Sequence, residues 1–310
     1  MYYPYLRGRQ FELIALREYA ECKGDNNNII PIIEPVKKTF NSLKLALPKL
    51  LKNNVKFALV LNPKVGDLEN TFDKVYGEEL AGILSDFTRW IPTFIVKNDY
   101  GFLKKYIDDS GLKDVMIFCS EQTDTNDLDF KSLISSDNVA YVVSEDNRTL
   151  KTFVRGVGKK IIRLDDKFKG VKRNSDYLEM EEEKFTEEHY YYLEDNYDGF
   201  SDYTPLVSSF VVGGGAPYAV AIHITYAKAQ QEIWIRHFTS ISNTDRANIQ
   251  GKFAEAAKKA VDFLNAKGIH TNASEELRKY YEEAKYPGLG MSKKITIKHH
   301  LEVINSNIRL

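Results

Sequence analysis

The sequence predicts a (β/α)8 TIM-barrel-like α/β fold with an added β-hairpin and C-terminal helices. Three observations predict it. Short apolar runs recur along the first two thirds of the chain, segments of helical periodicity separate them, and two alternating segments near residues 219–238 pair as a hairpin. Parallel strands need a crossover connection, so strand, helix, strand at regular spacing reads as βαβ units. An open parallel α/β sheet is the alternative. The expectation is one barrel-like domain over 1–310, with barrel strands and helices in 28–245 and a C-terminal helical segment, 246–310, packed on it. Barrels of this length are ordinary single domains.

In order along the chain, residues 10–22 place Phe11, Leu13, Ile14 and Leu16 near helical spacing, and Lys23-Gly24-Asp25-Asn26 stops the helix. The run 29–33 is apolar and ends at Glu34-Pro35. Similar runs cover 56–61, 92–96, 115–119, 139–143 and 160–164, and each ends in polar residues. Continuous apolar runs suit strands buried on both faces. Helical character fills 42–52, 78–90, 100–110, 130–135 and 149–157. These are six clear repeats; residues 197–203 and 219–226 bring the count to the eight strands a barrel needs. One arm of the hairpin, 219–226 and 232–238, is expected to close the barrel and the other to decorate it. Residues 249–264 and 274–285 read as amphipathic helices, the second capped by Ser274. The tail, 294–308, fits strand or helix.

Composition narrows the function. Forty-three basic and 44 acidic residues leave a formal charge of -1, so there is no global attraction for nucleic acid, though a local basic groove stays open. Two cysteines, Cys22 and Cys119, are too few for a disulfide framework and show no zinc spacing. No stretch suits a membrane span, and the opening residues lack a signal-peptide pattern; a cytoplasmic protein is expected. HExxH and GxSxG are absent, and His299-His300 are adjacent rather than at helical metal-binding spacing. Residues 155–160 lack the complete glycine and hydroxyl pattern of a phosphate loop. Gly213-Gly214-Gly215 reads as a flexible lid or a lead into the hairpin, Met180 to Lys184 as a solvated charge run, and the tyrosine-rich 190–203 as core packing, with a stacking surface for a base or sugar, or a protein interface, as the alternatives.

Ligands of such folds bind beyond the carboxyl ends of the strands. Those ends offer Glu34, Asn62, Lys97 with Asp99, Glu121, Glu145, Asp165 and Asp202, and the hairpin adds His223, Arg236 and His237. As a catalytic set, Glu34, Lys97, Glu121, Asp165, Asp202 and His223 would supply metal ligands or a general base, a charge stabiliser and a general acid. Arg7, Arg9, Asn62, Arg236 and His237 would bind substrate, and a divalent metal is the candidate cofactor. The competing explanation is that acidic residues after strands cap the next helix.

The opening YYPYLRGRQFELIALRE, residues 2–18, resembles the start of the bacterial family related to the beta protein of a satellite bacteriophage. Ile32-Ile33-Glu34-Pro35, Gly199-Phe200-Ser201-Asp202-Tyr203 and Ala221-Ile222-His223-Ile224-Thr225-Tyr226 resemble it too. The resemblance implies a place in mobile elements or anti-phage defence loci and a functional surface at Arg7, Gly8, Arg9 and Glu12; it carries no catalytic role. Two functions follow as expectations: a defence-module component acting through a protein partner encoded nearby, or a metal-assisted hydrolase or phosphodiesterase.

Overall fold

The structure is a computed structural model; it describes all residues of 1–310 except 70, 72–74, 76, 121 and 214, and the side chain of Glu78. Eight parallel strands lie in the order β1 (Tyr5–Leu6), β2 (Ile32–Ile33), β3 (Phe57–Val60), β4 (Trp90–Val96), β5 (Val115–Cys119), β6 (Val139–Ser144), β7 (Lys160–Asp165) and β9 (Gly199–Asp202). The two sheet edges meet where Tyr2 bridges Phe200: Tyr3 N donates to Phe200 O at 2.8 Å and Phe200 N to Met1 O at 3.1 Å. Gly199 lets the seam close, because a Cβ there would lie 2.6 Å from the Tyr3 ring and 2.7 Å from Met1 O. This is the TIM-barrel-like (β/α)8 arrangement.

Alternation along each strand sorts side chains into two cores. Ile32, Val60, Ile91, Ile95, Met116, Phe118, Val143, Ile162 and Leu164 fill the barrel with Tyr3 and Tyr5. Tyr2, Leu6, Ile33, Phe57, Leu59, Trp90, Phe94, Ile117, Val142 and Phe200 point outward to the helices. The outer layer is α1 (Gln10–Cys22), α2 (Asn41–Lys52), α3 (Glu78–Ala81), α4 (Tyr100–Asp109), α5 (Leu128–Ile134), α6 (Arg148–Gly156) and α7 (Glu188–Tyr191), with α10 (Leu289–Asn307) against α1. Leu13, Leu16 and Tyr19 of α1 and Ile297, Leu301 and Ile304 of α10 join the outer core, as the 3.6-residue period requires.

A second layer sits beside the barrel. An antiparallel sheet in the order β10 (Ala221–Ala229), β11 (Glu232–Thr239), β8 (Glu182–Thr186) packs Val220, Ile222, Ile224 and Phe238 on α8 (Ile249–Lys267), α9 (Asn272–Glu282) and α10.

Several expectations are corrected. The eighth barrel strand is Tyr5–Leu6, ahead of residue 28, and 219–226 belongs wholly to the second sheet. Pairing with β11 makes residues 182–186 a strand rather than a solvated run; Phe185 is buried on its inner face. The helix expected over 78–90 ends at Ala81, and Trp90 opens β4. Thr271, not Ser274, caps α9 by accepting from Ser274 N at 3.0 Å. The ambiguous tail is helix α10. Among the described residues, no helix is long and apolar enough to cross a membrane.

Candidate functional site at the barrel mouth

At the carboxyl end of the barrel strands lies a cavity of about 510 Å³. Its floor is aromatic: the Tyr5 ring sits 4.8 Å from Phe118 and 5.3 Å, edge-on, from Tyr203. Burial pushes the Tyr203 hydroxyl up to about 12, and the Tyr5 hydroxyl is raised by burial and by Glu34, so both phenols stay protonated donors.

Glu34 is the hub. Inward like Ile32 two residues before it, it is 1% exposed. It accepts from the Tyr5 hydroxyl at 2.7 Å, Arg7 Nη1 at 3.1 Å and the backbone N–H of Lys64 at 2.8 Å. Three donors on one buried carboxylate satisfy its demand for partners. The Arg7 guanidinium lies over the Tyr5 and Tyr203 rings, 5.3 and 5.9 Å from their centroids. Glu12 fixes the Arg7 backbone by accepting its N–H at 2.7 Å. Gly8 then turns the chain at φ 59°, where a Cβ would sit 3.0 Å from Glu34 O.

The same arginines fasten the segment 204–213 across the mouth. Arg7 Nη2 donates to Ser208 O, and Arg9 Nη2 donates to Val211 O at 2.5 Å, with the Arg9 guanidinium 4.7 Å from the Phe210 ring centroid. Ser208 and Ser209 of this segment line the cavity.

Around the rim the charges segregate. Lys64 and Lys97 follow β3 and β4; Glu145 and Asp166 follow β6 and β7, across the ring. Asp99 approaches Lys64 Nζ at 3.6 Å, and among the described residues no carboxylate pairs with Lys97. Among the described residues, the groups after β5 that line the cavity, including Ser120, Gln122 and Thr123, are uncharged and separate the two sides. Ser120 and Thr123 hydroxyls donate to Val96 O at 2.8 and 2.9 Å. Burial pushes the Cys119 thiol up to about 12, so this cavity-lining sulfur is not a thiolate near neutral pH.

The structure therefore brings Arg7, Glu34, Lys97 and Glu145 together at the mouth and places most of the other candidates elsewhere. Asn62 is buried and ties β3 to β4, exchanging 2.8 Å bonds with Ile95 N and O. Asp165 and Asp202 are register partners on the outward face. Asp165 meets Arg163 at 3.3 Å, and Asp202 accepts from the Tyr2 hydroxyl at 2.6 Å, near His300. His223 and His237 sit in the second layer, and Arg236 pairs there with Glu181 and Glu182. Glu121 lies outside the described residues, as does Gly214 of the glycine run. Of the tyrosine-rich stretch, Tyr192, Tyr197 and Phe200 are core, while Tyr203 lines the mouth. Among the described residues, no group of three or more His, Cys, Asp or Glu could hold a metal ion.

Sequence reasoning missed Lys64, Tyr5 and Asp166, and placed Tyr203 only within the aromatic patch. A period-two count was the available signal: Lys64 lies an even number of residues after inward Val60, and Asp166 after inward Leu164. Comparison with known proteins found no matching family model, no similar curated protein and no similar solved structure.

Proposed function

We propose that the barrel mouth binds a small polar ligand with an anionic group at one end and hydroxyl or amino donors at the other, of the sugar-phosphate or nucleotide type. The observation that carries this reading is the charge segregation, with Lys64 and Lys97 facing Glu145 and Asp166 across one cavity. The Arg7–Glu34 pair is internally neutral and sets the floor between them. A cavity of about 510 Å³ is the size of an ordinary small-molecule site. A metal-assisted hydrolase draws less support, since Asp165 and Asp202 do not face the mouth.

Calorimetric titration with ribose 5-phosphate, glucose 6-phosphate, AMP and inorganic phosphate tests the reading. At least one organic phosphate should bind, and Lys97→Glu should weaken it by about tenfold or more with little change in melting temperature, as expected for reversing one half-buried cation. Binding that is indifferent to Lys97→Glu, or no binding by any of the four, would remove the proposal.

A protein partner within an anti-phage or mobile-element module is a second reading, and cytoplasmic residence goes with it. Its support is the resemblance of residues 2–18, whose Arg7 and Arg9 hold the mouth-covering segment, together with Val211 and Val212 on that segment, 56% and 80% exposed. Co-expression with the neighbouring gene product should give a complex that Val212→Glu weakens. Separate elution of the two chains at micromolar concentration would count against it.

A further inference from the structure

The histidines displaced from the mouth form a site of their own. β10 and β11 place His223 opposite His237, and the rings meet Nδ1 to Nδ1 at 2.7 Å. One proton must lie between those nitrogens, so one ring donates and the other accepts. The choice is made behind His237. Its Nε2 is buried without a hydrogen-bond partner and faces Glu183 Oε1 at 3.8 Å, while Glu183 is itself held by Lys169. A carboxylate there favours a proton on His237 Nε2. His237 Nδ1 is then the acceptor, His223 Nδ1–H the donor, and His223 Nε2 keeps a lone pair.

Neither ring is free to turn. Tyr177 stacks on His237 at 4.4 Å and meets His223 edge-on at 4.8 Å, and Phe168 meets His223 edge-on at 5.2 Å. Burial lowers His223 to about 3 and His237 to about 4, so both are neutral near pH 7.

His223 lines a cavity of about 460 Å³ between the second sheet, the start of α10 and residues 205–207, 215 and 217. Its Nε2 has no partner among the described residues and is not among the sealed polar atoms. Phe168, Tyr177, Leu206 and Val207 supply apolar and aromatic walls. Lys293 at the margin is neutralised by buried Glu12 at 2.9 Å. The space thus offers apolar and aromatic surfaces, no uncompensated charge among the described residues and an oriented acceptor at His223, with Asn174, Ser292 and Thr296 as further polar groups of the lining.

We infer that this cavity binds an uncharged heteroaromatic ring of nucleobase size, whose ring N–H donates to His223 Nε2. Aromatic walls stabilise a flat ring by stacking, and a fixed acceptor discriminates against a ring whose N–H is methylated, because the buried lone pair is then left unpaired. The site shares no lining residue with the mouth, although both touch the segment after Thr204.

The test is nitrogen-15 NMR of the histidine rings in the unmodified chain, assigned with His223→Gln and His237→Gln. The free protein should show His223 protonated at Nδ1 and bare at Nε2. Uracil or adenine should shift the Nε2 resonance saturably, and 1,3-dimethyluracil should bind about tenfold more weakly than uracil or not at all. Val207→Trp, which fills the cavity, should abolish the shift. A proton on Nε2 in the free protein, no response to either base up to millimolar concentration, or equal binding of dimethyluracil would overturn the inference.

Discussion

Glu34→Ala is expected to destabilise the fold by about 3–5 kcal/mol, the range for removing one partner of a buried ion pair. Three donors lose their acceptor at once: the Tyr5 hydroxyl, the Arg7 guanidinium and the Lys64 N–H. Arg7 is only 19% exposed and keeps the Ser208 carbonyl as a partner, so its charge loses the carboxylate paired with it in the mouth. Glu34→Gln retains one acceptor oxygen and should lose less, about 1–3 kcal/mol. The double variant Arg7→Met with Glu34→Ala removes both charges and should recover part of the loss, as apolar replacements of whole buried pairs do. Denaturant unfolding of the four proteins measures this. A double variant no more stable than Glu34→Ala would mean that the loss comes from the Tyr5 and Lys64 bonds rather than from stranded charge.

A second large effect lies outside the barrel, at Glu188. Burial, reinforced by Asp165, raises its carboxyl from 4.5 to about 7 despite Arg163 at 3.3 Å; the residue is 8% exposed and Oε2 has no hydrogen-bond partner. The folded chain therefore holds the proton more tightly than the unfolded chain. The stability contributed by protonated Glu188 is fully present below about 4.5 and is lost as pH rises through about 7. The loss amounts to roughly 3 kcal/mol. Glu188→Gln should match the wild type near pH 4.5 and exceed it by roughly that amount at pH 8. The comparison must be a difference between the two proteins at each pH, because other groups titrate as well. His223 and His237, with lowered values, lose their contribution in acid, and raised Asp165 acts in the same sense as Glu188. A stability gap that does not change with pH would show that Glu188 titrates normally.

The barrel was legible because its strands announce themselves: 57–60, 90–96, 115–119 and 139–144 are largely apolar on both faces, a condition parallel strands between two cores impose, and 160–165 keeps an apolar inner face. The first strand was not, since two residues amid tyrosines and a proline make no run. The hairpin was counted in its place to reach eight. Site residues were half legible for one physical reason. The first polar residue after a strand marks the strand's end but not its face, and runs apolar on both faces conceal which parity points inward. Glu34 and Lys97 share parity with inward Ile32 and Ile95; Asp165 and Asp202 share it with outward Arg163 and Phe200. The histidine pair was one step out of reach. Counting back from the turn at Ala229–Glu232 sets His237 opposite Ile224, and only the bulge between Ala227 and Ala229 brings His223 against it.

The seam between Tyr2–Leu6 and Gly199–Asp202 also dictates an order of events during synthesis. The opening strand emerges about 200 residues ahead of the strand it must meet, a delay of roughly 10–40 s at ordinary ribosomal rates. Until then the growing sheet has two unpaired edges, and the first of them must be shielded from neighbouring nascent chains. Ring closure so distant in sequence makes folding slow and leaves the half-made barrel, more than the finished one, as the species at risk of aggregation.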